Sequence, residues 1–126
     1  MFKIQPIQSK EEQIRIAELC GASYIEGYFA YSMIEDDGTL LGFSQFDIRG
    51  EDAYISDIKS AIGIDDEEAM IILGRSTMNF IDMCGTHIAY APSTCADKAY
   101  MIRIGFTPND DGYFANMEHY FSGCSH

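Results

Sequence analysis

The stretch Ala99-Tyr100-Met101-Ile102-Arg103-Ile104-Gly105-Phe106 reads as the end of a helix stopped by a glycine, with an aromatic directly behind it. Glycine takes the left-handed conformation that closes a helix without a Cβ clash. Downstream, Asn109-Asp110-Asp111-Gly112 is a turn signal, and Tyr113 to Phe121 reads as the last strand. Upstream, Thr86 to Ala91 is a short strand stopped by Pro92, and Ser93 or Thr94 can cap the helix that runs to Ile104.

Farther upstream lies the longest helical pattern, Asp65 to Cys84, closed by Gly85. Met70, Leu73, Thr77, Ile81 and Cys84 recur at the helical period and form its apolar face. Before it, Tyr31 to Glu35 and Thr39 to Arg49 flank Asp36-Asp37-Gly38, a dipeptide-plus-glycine signal for a tight hairpin. Gly50-Glu51-Asp52 then turns into the alternating run Ala53 to Ser60, which makes a three-stranded meander. At the start, Phe2 to Ile7 reads as a strand limited by Pro6. Ser9 and Glu12 fit a capping box for a helix buried through Ile14, Ala17 and Cys20 and ended by Gly21. The aromatics of Ala22 to Ala30 suggest a short second helix, weakened by Gly27.

This order of elements defines an α/β (α+β) chain with a mixed, mostly antiparallel central sheet flanked by helices. With 126 residues, of which 47% are hydrophobic, it is expected to form a single domain over residues 1–126. Twenty acidic residues against 8 basic ones give a net charge of −12, which disfavours nucleic acid and anionic membranes, since both are bound through Lys and Arg clusters. The acidity is spread over several turns and reads as a solubility device, with a cationic substrate or partner as the sharper alternative. Cys20, Cys84, Cys95 and Cys124 show no paired spacing and read as reduced thiols of a cytoplasmic protein.

The element order, together with the Ala99 to Phe106 helix end and the turn and strand behind it, resembles the C-terminal half of the GNAT superfamily of N-acetyltransferases. The resemblance implies a GNAT-like acyl-CoA N-acyltransferase fold, acetyl-CoA as cofactor and a small-molecule amine as substrate. Family members hold the coenzyme where the fourth strand splays from the fifth. A glycine-containing loop at the start of the long helix offers backbone N–H groups to the pyrophosphate there. Carried onto this chain, the cofactor positions are Ile58, Lys59, Ile64 and Ala69, of which only Ala69 matches a small-residue position of that loop. The loop itself reads Gly63-Ile64-Asp65-Asp66-Glu67-Glu68-Ala69, and its four consecutive carboxylates would repel a polyanion. As residues, they are first a helix start, with Asp65 as N-cap and Glu68 three residues on. A cationic ligand or a divalent cation are the other uses of such a run.

The family's proton donor is a tyrosine four residues before the glycine of Gly-Phe, and Met101 stands there. Tyr100 is adjacent and is the candidate acid, although one residue turns a helical side chain by about 100°. Asp57, or Glu51, is the candidate general base. Tyr24, Tyr28, Phe29, Tyr31, Phe43 and Phe46 make an aromatic region fit for a ligand wall as well as for a core. His119, Cys124 and His126 lack metal-ligand spacing, so no metal site is expected. Cys95 at a helix start would be a nucleophile only with a lowered pKa. Two functions follow from these residues: a CoA-dependent N-acetyltransferase with displaced acid and base, or a GNAT-like binding or interaction module without acyl transfer. A monomer and a homodimer are both compatible with the sequence.

Overall fold

The computed structural model describes residues 2–119. Its elements are β1 (Phe2–Pro6), α1 (Lys10–Leu19), β2 (Phe29–Glu35), β3 (Leu40–Arg49), β4 (Asp52–Ser60), α2 (Glu67–Met83), β5 (Ile88–Ala91), α3 (Lys98–Ile104), β6 (Thr107–Asn109) and β7 (Gly112–Asn116). They form one seven-stranded sheet in the order β1-β2-β3-β4-β5-β7-β6. Every pairing is antiparallel except β4 with β5.

Side chains alternate across the sheet, and the two faces fill two cores. On one face α2 and α3 bury Met70, Leu73, Met78, Ile81, Met101 and Ile104 against Met33, Phe46, Ile55 and Ala89. On the other, Ile16, Ala17 and Cys20 of α1 meet Ala30, Phe43 and Ala61. Phe43 and Phe46 are both fully buried, and each such ring contributes roughly 1.5–3 kcal/mol relative to exposure. At the β3–β4 pairing the register slips, because Gln45 opposes Asp57 while Phe46 opposes Ile55, leaving Ser56 as an extra residue. This bulge lets both Ile55 and Ile58 face α2 although they are three positions apart.

Several local expectations change. Residues 22–28 form a loop and no second helix, because Gly27 sits at φ +85° and the loop's polar backbone groups are bonded by side chains from α1 and β3. In α1 it is Ile16, and not Ile14, that is buried, and Glu12 pairs with Arg15 while Ser9 Oγ accepts the Glu12 N–H. The N-cap of α2 is Asp66 instead of Asp65, and Cys84 is exposed at its far end. Neither Ser93 nor Thr94 starts α3, which begins after Asp97, because a turn from Pro92 to Cys95 comes first. β6 is a three-residue edge strand carrying Pro108, too short and too polar to announce itself. The last strand ends at Asn116 and a 3-10 turn follows; Phe121, Cys124 and His126 lie outside the described residues, as does the His119 side chain.

Candidate functional site

β4 and β5 are paired only from Asp52 to Tyr54, opposite Ile88 to Tyr90. Beyond that point β5 is stopped by Pro92 and β4 runs on through the Ser56 bulge, so the two strands part where the sheet changes from antiparallel to parallel. At this parting sits Asp57. Its Oδ2 accepts hydrogen bonds from Ser56 Oγ at 2.7 Å and Gln45 Nε2 at 3.0 Å. Gln45, fully buried, also donates to the Ser23 carbonyl and accepts from Gln13 Nε2 and the Ile25 N–H. The chain from Ser23 to Tyr28 is thus tied to the sheet by two glutamines. With Lys59, Ser23 and Thr94, Asp57 lines a pocket along this edge.

The chain itself crosses the parting of the strands. The Ile58 N–H donates to the Cys95 carbonyl at 3.0 Å, the Lys59 ammonium donates to the Thr94 carbonyl, and the Cys95 side chain is wholly buried beside them. Burial raises the Cys95 thiol pKa, reinforced by the Asp57 charge and only partly opposed by Lys59. Burial, and then Asp57, likewise push the Cys20 thiol up to about 12. The lowered pKa that a Cys95 nucleophile requires is therefore the reverse of what this surrounding produces. Labelling with iodoacetamide at pH 8, read peptide by peptide, is expected to modify exposed Cys84 while Cys20 and Cys95 stay unmodified in the folded protein. Raising the pH above the ordinary thiol value of 9.0 is expected to erode stability, because the unfolded Cys20 ionises there while the folded one does not. Fast labelling of Cys95 would contradict this picture.

The start of α2 is occupied in a similar way. Asp66 Oδ1 accepts the Ala69 N–H at 3.0 Å, and the Ile64 N–H donates to the Ala61 carbonyl at 2.9 Å. Arg103 of α3 bridges Glu67 at 2.8 Å and Glu68 at 2.7 Å. Tyr100 lies half-buried nearby; burial raises its phenol pKa, with Asp65, Asp97, Glu67 and Asp66 adding to the effect. Tyr100 therefore faces the acidic helix start, whereas Asp57 faces the glutamine network, and the two candidate catalytic residues answer to different surroundings. Met101 is fully buried in the core. Glu51 is exposed in the turn between β3 and β4, and His87 pairs with Asp82. Among the described residues no group of three or more His, Cys, Asp or Glu is placed to hold a metal, and no helix is long and apolar enough to cross a membrane.

On the α1 side of the parting a second pocket is walled by Tyr28, Tyr54, Tyr90, Pro92 and Asp111. Of the aromatics singled out in the sequence only Tyr28 reaches it. Phe43 and Phe46 are core, Phe29 and Tyr31 pack on Phe46, and Tyr24 bonds Glu26 at 3.0 Å.

The overall fold is shared with solved acetyltransferases. The chain superposes on a protein assigned to the GNAT acetyltransferase family from Desulfovibrio desulfuricans with a TM-score of 0.71 and 12% identity, over 93% of this chain and 99% of that one. The chain has the GNAT fold. The ribosomal-protein-S18-alanine N-acetyltransferase from Escherichia coli gives a TM-score of 0.67 at 13% identity, over 92% of this chain and 90% of that one. An Escherichia coli N-acetyltransferase structure bound to coenzyme A gives 0.68 at 12%, over 92% and 98%. By sequence the chain matches no protein-family model and no curated protein.

Backbone donors at Ile58, Ile64 and Ala69 are spent on the chain's own acceptors, Lys59 is bonded to the Thr94 carbonyl, and the helix start carries carboxylates that an arginine already pairs. Sequence reasoning missed Gln13, Gln45, Tyr54 and Tyr90. Gln45 stands in an apolar-flanked strand, Phe43 to Phe46, where a buried amide is the unexpected residue, and that was the available signal.

Proposed function

We propose that this GNAT-fold chain acts as a binding module and does not carry out CoA-dependent acyl transfer. The observation that carries the reading is the hydrogen bond from the Ile58 N–H to the Cys95 carbonyl, which spans the opening between β4 and β5 with the chain's own backbone. Opening it would expose the buried Cys95 side chain and orphan a backbone pair, a cost of roughly 1–3 kcal/mol before any coenzyme contact forms. The carboxylates at the start of α2 support the same conclusion through repulsion of polyphosphate.

The rival reading is transfer of an acetyl group from acetyl-CoA to a small amine, with Asp57 as base and Tyr100 as acid. Its support is the fold and the coenzyme-bound state of two structural neighbours. Calorimetric titration with acetyl-CoA, paired with thermal melting, separates the two. No binding heat, no rise in melting temperature and no thiol release with a panel of amines are expected; steady turnover with any of them would overturn the proposal.

A further inference from the structure

Where α1 begins, β1 and β2 carry a pocket of about 280 Å³ that shares no residue with the pocket at the opening between β4 and β5. Gln5 opposes Ser32 in the β1–β2 register, so both side chains stand on one face, and Ala30, two residues before Ser32, places that face under α1. Ile16 of the helix and Ile34 of the strand make the apolar wall, while Gln8 and Glu12 close the side at the helix start.

Ser32 decides what this space can hold. The residue is only 2% exposed, yet its hydroxyl makes no hydrogen bond among the described residues. None of their buried side-chain N or O atoms is both shut from solvent and unbonded, so the Ser32 hydroxyl must open into the pocket that it lines. Alanine would fill the same place with no polar group to satisfy, as Ala30 does on the same face. At the exposed rim the amides of Gln5 and Gln8 are equally without a partner among the described residues. The Glu12 carboxylate is charge-balanced by Arg15 at 2.7 Å.

These groups discriminate among guests. An anion would meet no cation in the wall and a chain of net charge −12. A cation would meet a carboxylate that Arg15 already neutralises. A hydrocarbon would cover the Ser32 hydroxyl without bonding it, which costs free energy. A hydroxyl both donates and accepts, so it can pair with serine, amide and carboxylate alike, and the C–H face of a polyol suits the isoleucines. The volume lies at the low end for ligand sites and limits the guest to about one ring. We propose that this pocket binds a small neutral polyhydroxy molecule, a monosaccharide or a polyol of that size. The site is separate from the β4–β5 opening and does not depend on how that opening is used.

D-glucose, xylitol and myo-inositol are the probes, and cyclohexanol, with one hydroxyl on an apolar ring, is the control. Titrations are followed by nitrogen-15 NMR at the side-chain amides of Gln5 and Gln8 and the backbone amide of Ser32. At least one polyol is expected to give saturable shifts centred on these residues, at least roughly tenfold tighter than cyclohexanol. Ser32→Ala is expected to weaken that binding by roughly five- to tenfold while the melting temperature holds or rises, because the lost hydroxyl has no partner among the described residues. Gln8→Ala, at an exposed position between β1 and α1, leaves the fold intact and is expected to weaken binding by roughly threefold. Absence of saturable shifts with all three polyols, equal binding of cyclohexanol, or full affinity in Ser32→Ala would each overturn the proposal. A lowered melting temperature in Ser32→Ala would do the same, since the hydroxyl would then serve the fold.

Discussion

Gln45→Leu is expected to lower folding stability by about 3 kcal/mol or more. The side chain is fully buried, accepts from Gln13 Nε2 at 2.9 Å and the Ile25 N–H at 3.1 Å, and donates to the Ser23 carbonyl and Asp57 Oδ2, each at 3.0 Å. Leucine fills the volume and leaves all four groups without that partner. Gln13 keeps a second acceptor in the Tyr28 carbonyl, and Asp57 keeps Ser56, so the damage concentrates on the loop backbone and on the buried end of the network. Urea unfolding should show the shift in midpoint, and hydrogen exchange at the Ile25 amide should speed up. A loss below about 1 kcal/mol would mean that water replaces these bonds and that the loop is held by other contacts.

Much of the fold was legible because its punctuation is local. Asp36-Asp37-Gly38 forms the expected hairpin turn, with Gly38 at φ +91° and Asp37 Oδ1 accepting the Thr39 N–H. Gly85 and Gly105 end helices with φ of +90° and +129°, as their positions after apolar runs implied. The false second helix arose because the spacing of Tyr24, Tyr28 and Phe29 mimics helical periodicity, while the competing bonds come from Gln13 and Gln45. Those partners are distant in sequence, and no local pattern reveals them. The start of α3 was misplaced for a similar reason, since Ser93 and Thr94 have capping side chains but lie in a turn fixed by Cys95 docking against Ile58.

At the candidate site the sequence marked unusual residues without showing their partners. Asp65 to Glu68 set four carboxylates at the helix start, yet the pairing of Glu67 and Glu68 with Arg103 is a tertiary contact between α2 and α3. Tyr54 and Tyr90 read as alternating strand residues, and only the parallel register of β4 with β5 makes them neighbours. The Ser56 bulge is equally silent in sequence, because one extra residue in an alternating run leaves no compositional mark.

Met101→Tyr, which puts a tyrosine where the GNAT resemblance implies a proton donor, is expected to destabilise the protein by roughly 2–4 kcal/mol and, on the binding-module reading, to confer no acetyl transfer. Met101 has no exposed surface, and its carbonyl holds the α3 terminus through the N–H groups of Gly105 and Phe106. The neighbouring helix contact has no slack: a Cβ on Gly74 would come within 2.3 Å of Ile104 Cδ1. A larger ring with a hydroxyl must therefore overpack the α2–α3 side of the core and find a partner for a buried O–H where methionine needed none. Even a correctly placed phenol would face an opening spanned by the Ile58–Cys95 backbone bond, and on the proposed binding-module reading proton donation would have no bound thioester to serve. Urea unfolding measures the first effect, and thiol release from acetyl-CoA over an amine panel measures the second. A variant as stable as the parent that also turns over acetyl-CoA would show that Met101 alone separates this chain from catalysis, and that the backbone bridge yields to the coenzyme.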